Sequence, residues 1–234
     1  MLLRTDHVSP NHDTRRLPIS LVVVHYTGMI SGGAALSRLC DPTAQVSAHY
    51  CIDTGGEVYA LVPEHARAWH AGVSLWRGVT DINSASIGIE LVNRGHDWDY
   101  PDFPERQIQA LCALLADLFG RYGFLPEALV GHSDVAPTRK QDPGEKFPWQ
   151  RLAALGFGLW PKTPPSHDHT PLNPQEEADF RQALMRFGYD GDNPEAALQA
   201  FYRHYSPDQL HRPATRAALL MIHDLLSQVT GHPL

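Results

Sequence analysis

Cysteine is scarce: only Cys40, Cys51 and Cys112 in 234 residues. So few thiols argue against a disulfide framework, and with no CxxC pair there is no thiolate zinc or dithiol redox motif. Basic charge is in deficit, 19 Lys+Arg against 26 Asp+Glu, giving a formal net charge of −7. A nucleic-acid binder needs a basic surface to neutralise phosphates, so nucleic acid is not an expected partner. No apolar run approaches the roughly 18 residues of a membrane span, so no transmembrane segment is expected. The opening stretch MLLRTDHVSPNHDTRR has no apolar h-region, so it does not read as a signal peptide. A cytoplasmic location is expected as written. No HExxH helix motif is present, which argues against a general metalloprotease.

What is present is enough apolar residue for a core, 43% of the chain, and a surplus of histidine, 14 residues. Residues 19–25 (ISLVVVH) form a continuous β-branched run that suits a buried strand. Residues 34–40 read as a short helix stopped before Asp41-Pro42. Residues 48–53 and 57–62 flank Asp53-Thr54-Gly55-Gly56 and read as a β-hairpin. Residues 86–92 (SIGIELV) alternate strictly, with Ile87, Ile89 and Leu91 on one face and Gly88 and Glu90 on the other. Residues 104–122 carry Ile108, Leu111, Leu115 and Leu118 at helical spacing, with Gly123 as the stop. Residues 128–132 are another short apolar run ending in His132. Alternating strands and helices indicate an α/β fold, a central sheet flanked by helices.

A composition break follows. The stretch GFGLWPKTPPSHDHTPLNP holds five prolines and reads as a linker. Beyond it, residues 174–187, 194–204 and 213–229 read as three amphipathic helices. The expected division is residues 1–160, a linker at 161–173, and a small helical domain at 174–234. A module this small has a marginal core and is expected to lean on the linker or the main domain.

Several residues could carry chemistry. His25 and His132 each close an apolar run, and ligands gather at the carboxyl ends of strands in open α/β sheets. Asp142 follows His132 in a loop stiffened by proline and glycine. Two histidines and a carboxylate are a common ligand set for catalytic zinc. On spacing alone, two strand-end histidines with satisfied ring nitrogens remain the alternative. Glu90 sits in an otherwise apolar strand, where a carboxylate is costly unless paired or placed in a cleft. Gly88 beside it leaves room for a ligand. Lys140 is two residues from Asp142, so in an extended loop both side chains point the same way and the cation could stabilise an oxyanion.

The segments LVVVHYTG, SAHYCID, ARAWHAGVSLWRG, NSASIGIELVNRG and VGHSDVAPTRKQDPGEKFPW occur in this order across residues 17–160. Together they resemble the zinc-dependent N-acetylmuramoyl-L-alanine amidases of the AmpD/AmiD type, the amidase_2 family, related to T7-type lysozyme and the peptidoglycan-recognition proteins. The resemblance implies a mixed central β-sheet flanked by helices, with peptidoglycan or muropeptides as partner and zinc as cofactor. Carried over by position, it implies His25, His132 and Asp142 as zinc ligands, Glu90 as the general acid/base, and Lys140 as the transition-state cation. All five residues are present, so the resemblance implies an active enzyme rather than a binding-only homologue. Trp69 and His70 resemble the groove-lining segment, and Asn93 and Arg94 are candidate substrate contacts. His49 is read as structural, Trp76 and Trp98 as exposed stacking platforms, and His167 and His169 as solvated. The likeness to the AmiD-like branch implies that the C-terminal helices form a peptidoglycan-binding-like module. Envelope members of that branch usually carry a leader, so a periplasmic or outer-membrane-associated location is the alternative to the cytoplasm. No oligomeric state is assigned.

Overall fold

A computed structural model describes residues 2–162 and 168–229. In chain order its elements are β1 (Leu3–Arg4), β2 (His12–Thr14), β3 (Leu21–Tyr26), α1 (Gly32–Leu39), β4 (Tyr50–Ile52), β5 (Val58–Ala60) and β6 (Ala66–Ala68). They continue with α2 (Ile82–Ala85), β7 (Ser86–Leu91), α3 (Glu105–Tyr122), β8 (Leu129–Gly131), α4 (His132–Val135) and α5 (Trp149–Ala154). The C-terminal helices are α6 (Pro174–Phe187), α7 (Pro194–Tyr205) and α8 (Arg216–Gln228). Six strands make one sheet in the order β1-β5-β4-β7-β3-β8, and β2 pairs with β6 apart from it. The sheet is mixed: β4, β7, β3 and β8 run parallel, while β5 returns antiparallel to β4 as the hairpin. No helix among the described residues is long and apolar enough to cross a membrane.

The alternation along β3 and β7 assigns the two faces. Val22, Val24, Ile87, Ile89 and Leu91 pack against Leu111, Leu115 and Leu118 of α3. Leu21 and Val23 point the other way, into a cluster shared with Trp76, Phe180, Phe187, Phe201 and Ile222. The C-terminal helices therefore lie on the second face of the sheet rather than apart from it. Their local signals are strong: Asn173 caps α6 in a reciprocal box with Glu176, and Asn193 and Thr215 cap α7 and α8.

Trp76 corrects an expectation. It is not an exposed platform but 1% exposed, its ring meeting Phe187 and Tyr189 edge-on at 6.0 and 5.1 Å. The helices that cover it begin about a hundred residues later, which a local reading does not see. Trp76→Ala should therefore cost about 3–5 kcal/mol in urea unfolding. An unchanged midpoint would show that the C-terminal helices do not depend on this contact.

Candidate metal centre and active site

Strands β3 and β7 are in parallel register, with His25 directly beside Glu90. His25 shares its face with Leu21 and Val23, so it lies where the apolar cluster ends and the carboxyl edge of the sheet opens. On the other side of β3, β8 delivers His132, which is the first residue of α4 rather than the last of the strand. The backbone amide of Ser133 donates to the Asp142 carbonyl at 2.8 Å, which folds the intervening loop back and brings the aspartate to the histidines. His25, His132 and Asp142 are all buried. Their facing atoms form a near-equilateral triangle: Nδ1 to Nδ1 is 2.9 Å, and Asp142 Oδ2 lies 3.1 and 2.9 Å from His25 and His132.

The surrounding hydrogen bonds fix where the protons are. Ser86 Oγ donates to the Ile82 carbonyl at 2.5 Å, so toward His70 Nε2, at 3.2 Å, it can only accept. His70 therefore carries its proton on Nε2 and presents a bare Nδ1. That atom lies 3.0 Å from His25 Nε2, which must then be the donor. His132 Nε2 is 3.1 Å from the Ala71 carbonyl and donates to it. In the neutral form of each ring both Nδ1 atoms are therefore lone-pair donors aimed at each other and at a carboxylate oxygen. Three such acceptors within 3.1 Å repel unless a proton or a metal cation sits between them.

The titration behaviour agrees. Burial, then the neighbouring His132, lowers His25 to about 4. Burial, then His25, holds His70 well below the ordinary range. Burial opposes ionisation of Asp142, but positive charge at His132 and histidine N–H groups directed at the carboxylate outweigh it and hold the carboxyl far below the usual range, a part a metal cation in the triangle would take over from those protons. A neutral His25 and an ionised Asp142 are in the deprotonated form that metal binding requires of its donors. This buried group could hold a metal ion. A tetrahedral ion with bonds of about 2.0–2.2 Å sets its ligands about 3.3–3.6 Å apart, so the triangle need only widen by a few tenths of an ångström.

A cavity of about 480 Å³ opens on this group, and Glu90, Lys140, Trp69, Tyr26 and Arg38 line it with His132 and Asp142. Glu90 is half-buried, and its Oε2 is cut off from solvent without a hydrogen-bond partner. Burial, then the charge of Asp142, pushes its carboxyl up to about 8, with Lys140 acting in the opposite sense. A carboxyl poised near neutrality beside an open cavity is equipped to take and return a proton.

The remaining candidates separate. Trp69 lines the cavity, and its Nε1 has no partner. His70 also borders it, but both its ring nitrogens are engaged and it is buried. The space beside Gly88 is filled by His70, since a Cβ there would overlap the imidazole. The glycine thus makes room for a partner of His25, not for a ligand. Asn93 and Arg94 do not join the cavity. The Asn93 amide accepts from Gly95 N and donates to the Pro101 carbonyl, and Arg94 pairs with Asp99 at the surface. His49 is fully buried and accepts the Gly88 amide at 2.9 Å. Trp98 and His169 are exposed, and His167 lies outside the described residues. Ser86 and Asn83 are two further residues of the site that the sequence does not mark. Asn83 Oδ1 accepts the amides of both His70 and Ala71, at 3.0 and 2.7 Å, and so holds the segment that orients both histidines of the triangle. Their only sequence signal is a short polar run before a strand, which any turn would share.

This architecture and residue set belong to a defined class. A family model described as N-acetylmuramoyl-L-alanine amidase matches residues 15–145, more than half the chain, and the protein belongs to that family. Within it, the chain is 39% identical over 225 residues to the N-acetylmuramoyl-L-alanine amidase AmiD of Escherichia coli, covering 83% of this chain and 80% of the relative. It is 37% identical to the 1,6-anhydro-N-acetylmuramyl-L-alanine amidase AmpD of Enterobacter cloacae, covering 66% of this chain and 91% of that protein. The solved complex of E. coli AmiD with anhydro-N-acetylmuramic acid-L-Ala-D-gamma-Glu-L-Lys superposes with a TM-score of 0.82 at 35% identity, covering 96% of this chain and 92% of that one.

Proposed function

We propose that this chain is a zinc-dependent amidase that hydrolyses the bond between N-acetylmuramic acid, or its 1,6-anhydro form, and the L-alanine of the stem peptide, in cell-wall turnover or recycling. The observation that carries the reading is the buried triangle of His25, His132 and Asp142 beside Glu90 at the floor of a cavity. The substrate class rests on the muropeptide bound to AmiD, a relative of the same architecture.

His25 and His132 through Nδ1, and Asp142 through Oδ2, would hold the ion. Zinc bound there would polarise the scissile carbonyl and acidify water. Glu90 takes the proton of the attacking water and then delivers it to the leaving amine of L-alanine. Its burial disfavours the ionised form and so favours returning the proton in the second task. Lys140 offsets the negative charge that grows on the carbonyl oxygen. Trp69 lines the cavity and would meet the substrate through its ring.

The test is to incubate the zinc-loaded chain with soluble anhydromuropeptide and with intact sacculi and to identify products by mass. Release of a peptide with a free L-alanine amine supports the reading; a zinc-loaded chain that cuts neither substrate overturns it. Lys140→Ala should lower kcat by about 10²–10³-fold with unchanged zinc content. If KM rose with kcat intact, Lys140 would be a binding residue instead.

A further inference from the structure

We propose that the C-terminal helices are part of the catalytic architecture: through Asp134 they position His132, and through Glu145 they support the loop carrying Asp142. The inference rests on the zinc reading and adds a role for residues beyond the amidase family match.

Asp134 lies two residues after His132 and is 1% exposed. Its Oδ2 accepts the amide of Gly131 at 2.7 Å, which sets the strand-to-helix turn from which His132 projects. The other two partners of this carboxylate come from the C-terminal region. Tyr189 donates its hydroxyl to Oδ1 at 2.8 Å, and His204 Nδ1 donates to Oδ2 at 2.8 Å. Without them a buried carboxylate would keep one backbone donor, and such a group is costly unless its lone pairs are satisfied. The turn it governs is tightly packed. A Cβ at Gly131 would come within 2.9 Å of Pro143, the neighbour of Asp142, and 3.1 Å of Trp149. The Trp149 ring in turn stacks on His204 at 3.7 Å. One residue earlier on α7, buried Arg203 lies 3.9 Å from Glu145, whose carboxylate also pairs with His96 at 3.0 Å. Helix α7 thus touches the stretch 131–145 at both ends of the segment that supplies two of the three proposed ligands.

Residues that orient a ligand without touching the ion typically change metal affinity by about 10–100-fold when lost. The double variant Tyr189→Phe, His204→Phe in the whole 234-residue chain keeps an aromatic ring at each position and removes the two donors. Its zinc dissociation constant, measured by competition with a chromogenic chelator, should rise about ten-fold or more. Leu225→Ala, in the same apolar cluster but among none of the partners of Asp134, serves as the control for general loosening. It should lower the unfolding midpoint and leave zinc affinity unchanged. A double variant that binds zinc as tightly as the parent overturns the proposal, as does a control that weakens zinc equally. A parent chain that binds no zinc fails before any substitution is compared, which identifies the metal reading itself as the error.

Discussion

Replacing Glu90 with glutamine should leave zinc bound and lower kcat by about 10²–10⁴-fold, the range for losing a general acid/base. The substitution removes the titrating proton but none of the three atoms of the triangle, so zinc content is the internal control. The same variant carries a pH signature in the metal-free protein. Glu90 is raised from an ordinary 4.5 to about 8, first by burial and then by Asp142. As pH rises above 4.5 the unfolded chain ionises this carboxyl while the folded chain keeps it protonated, so the residue increasingly favours unfolding. The cost is absent well below pH 4.5 and complete above about 8. In chelated protein, Glu90→Gln should therefore be more stable than the parent at pH 8.5, by on the order of a few kcal/mol, with a smaller gain at pH 5. Equal gains at both pH values in urea unfolding would contradict the raised proton affinity. Retained turnover would remove Glu90 from the mechanism.

His132→Ala should abolish both metal binding and activity. It deletes one of three ligand atoms and also removes one of the two side-chain donors to the Ala71 carbonyl, leaving it Arg139. Zinc affinity should fall by more than the roughly 10–100-fold typical of losing a supporting hydrogen bond. Zinc that binds only the folded state stabilises it by about 4 kcal/mol when present at 1,000 times its dissociation constant. Chelation should accordingly lower the Tm of the parent and leave that of His132→Ala almost unmoved. A variant that still loses stability to chelator would hold its zinc elsewhere.

How far these features can be read from the chain depends on how local their causes are. The run 19–25, the alternation of 86–92 and the spacing of 104–122 each carry a period that matches one element, and each element forms within a residue or two of that reading. The hairpin and the three capped C-terminal helices were legible for the same reason. Strands of two or three residues, such as β1, β2 and β6, are too short to hold a period and are defined only by their partners. The residues of the triangle were legible as a set because strand ends and a stiff loop deliver them, with the family likeness fixing the choice. The support around them was not. Gly88 announces a space but not that His70 fills it; Trp76 looks like a loop aromatic until distant helices cover it. Asn93 and Arg94 follow Glu90 in sequence, yet the chain turns at Gly95 and spends them on the loop itself. The histidine surplus acquires structural roles in the same way: His49 accepts a backbone amide, His96 bridges Tyr26 and Glu145, and His204 serves Asp134.

The most direct measurement is a zinc titration of the chelated, dialysed chain, following release of L-Ala-D-gamma-Glu-L-Lys from its anhydro-N-acetylmuramic acid conjugate by mass. The account predicts no release without metal, a rise in proportion to added zinc, and saturation at one ion per chain. Release by the metal-free chain, or a chain saturated with zinc that leaves this amide intact, would contradict it.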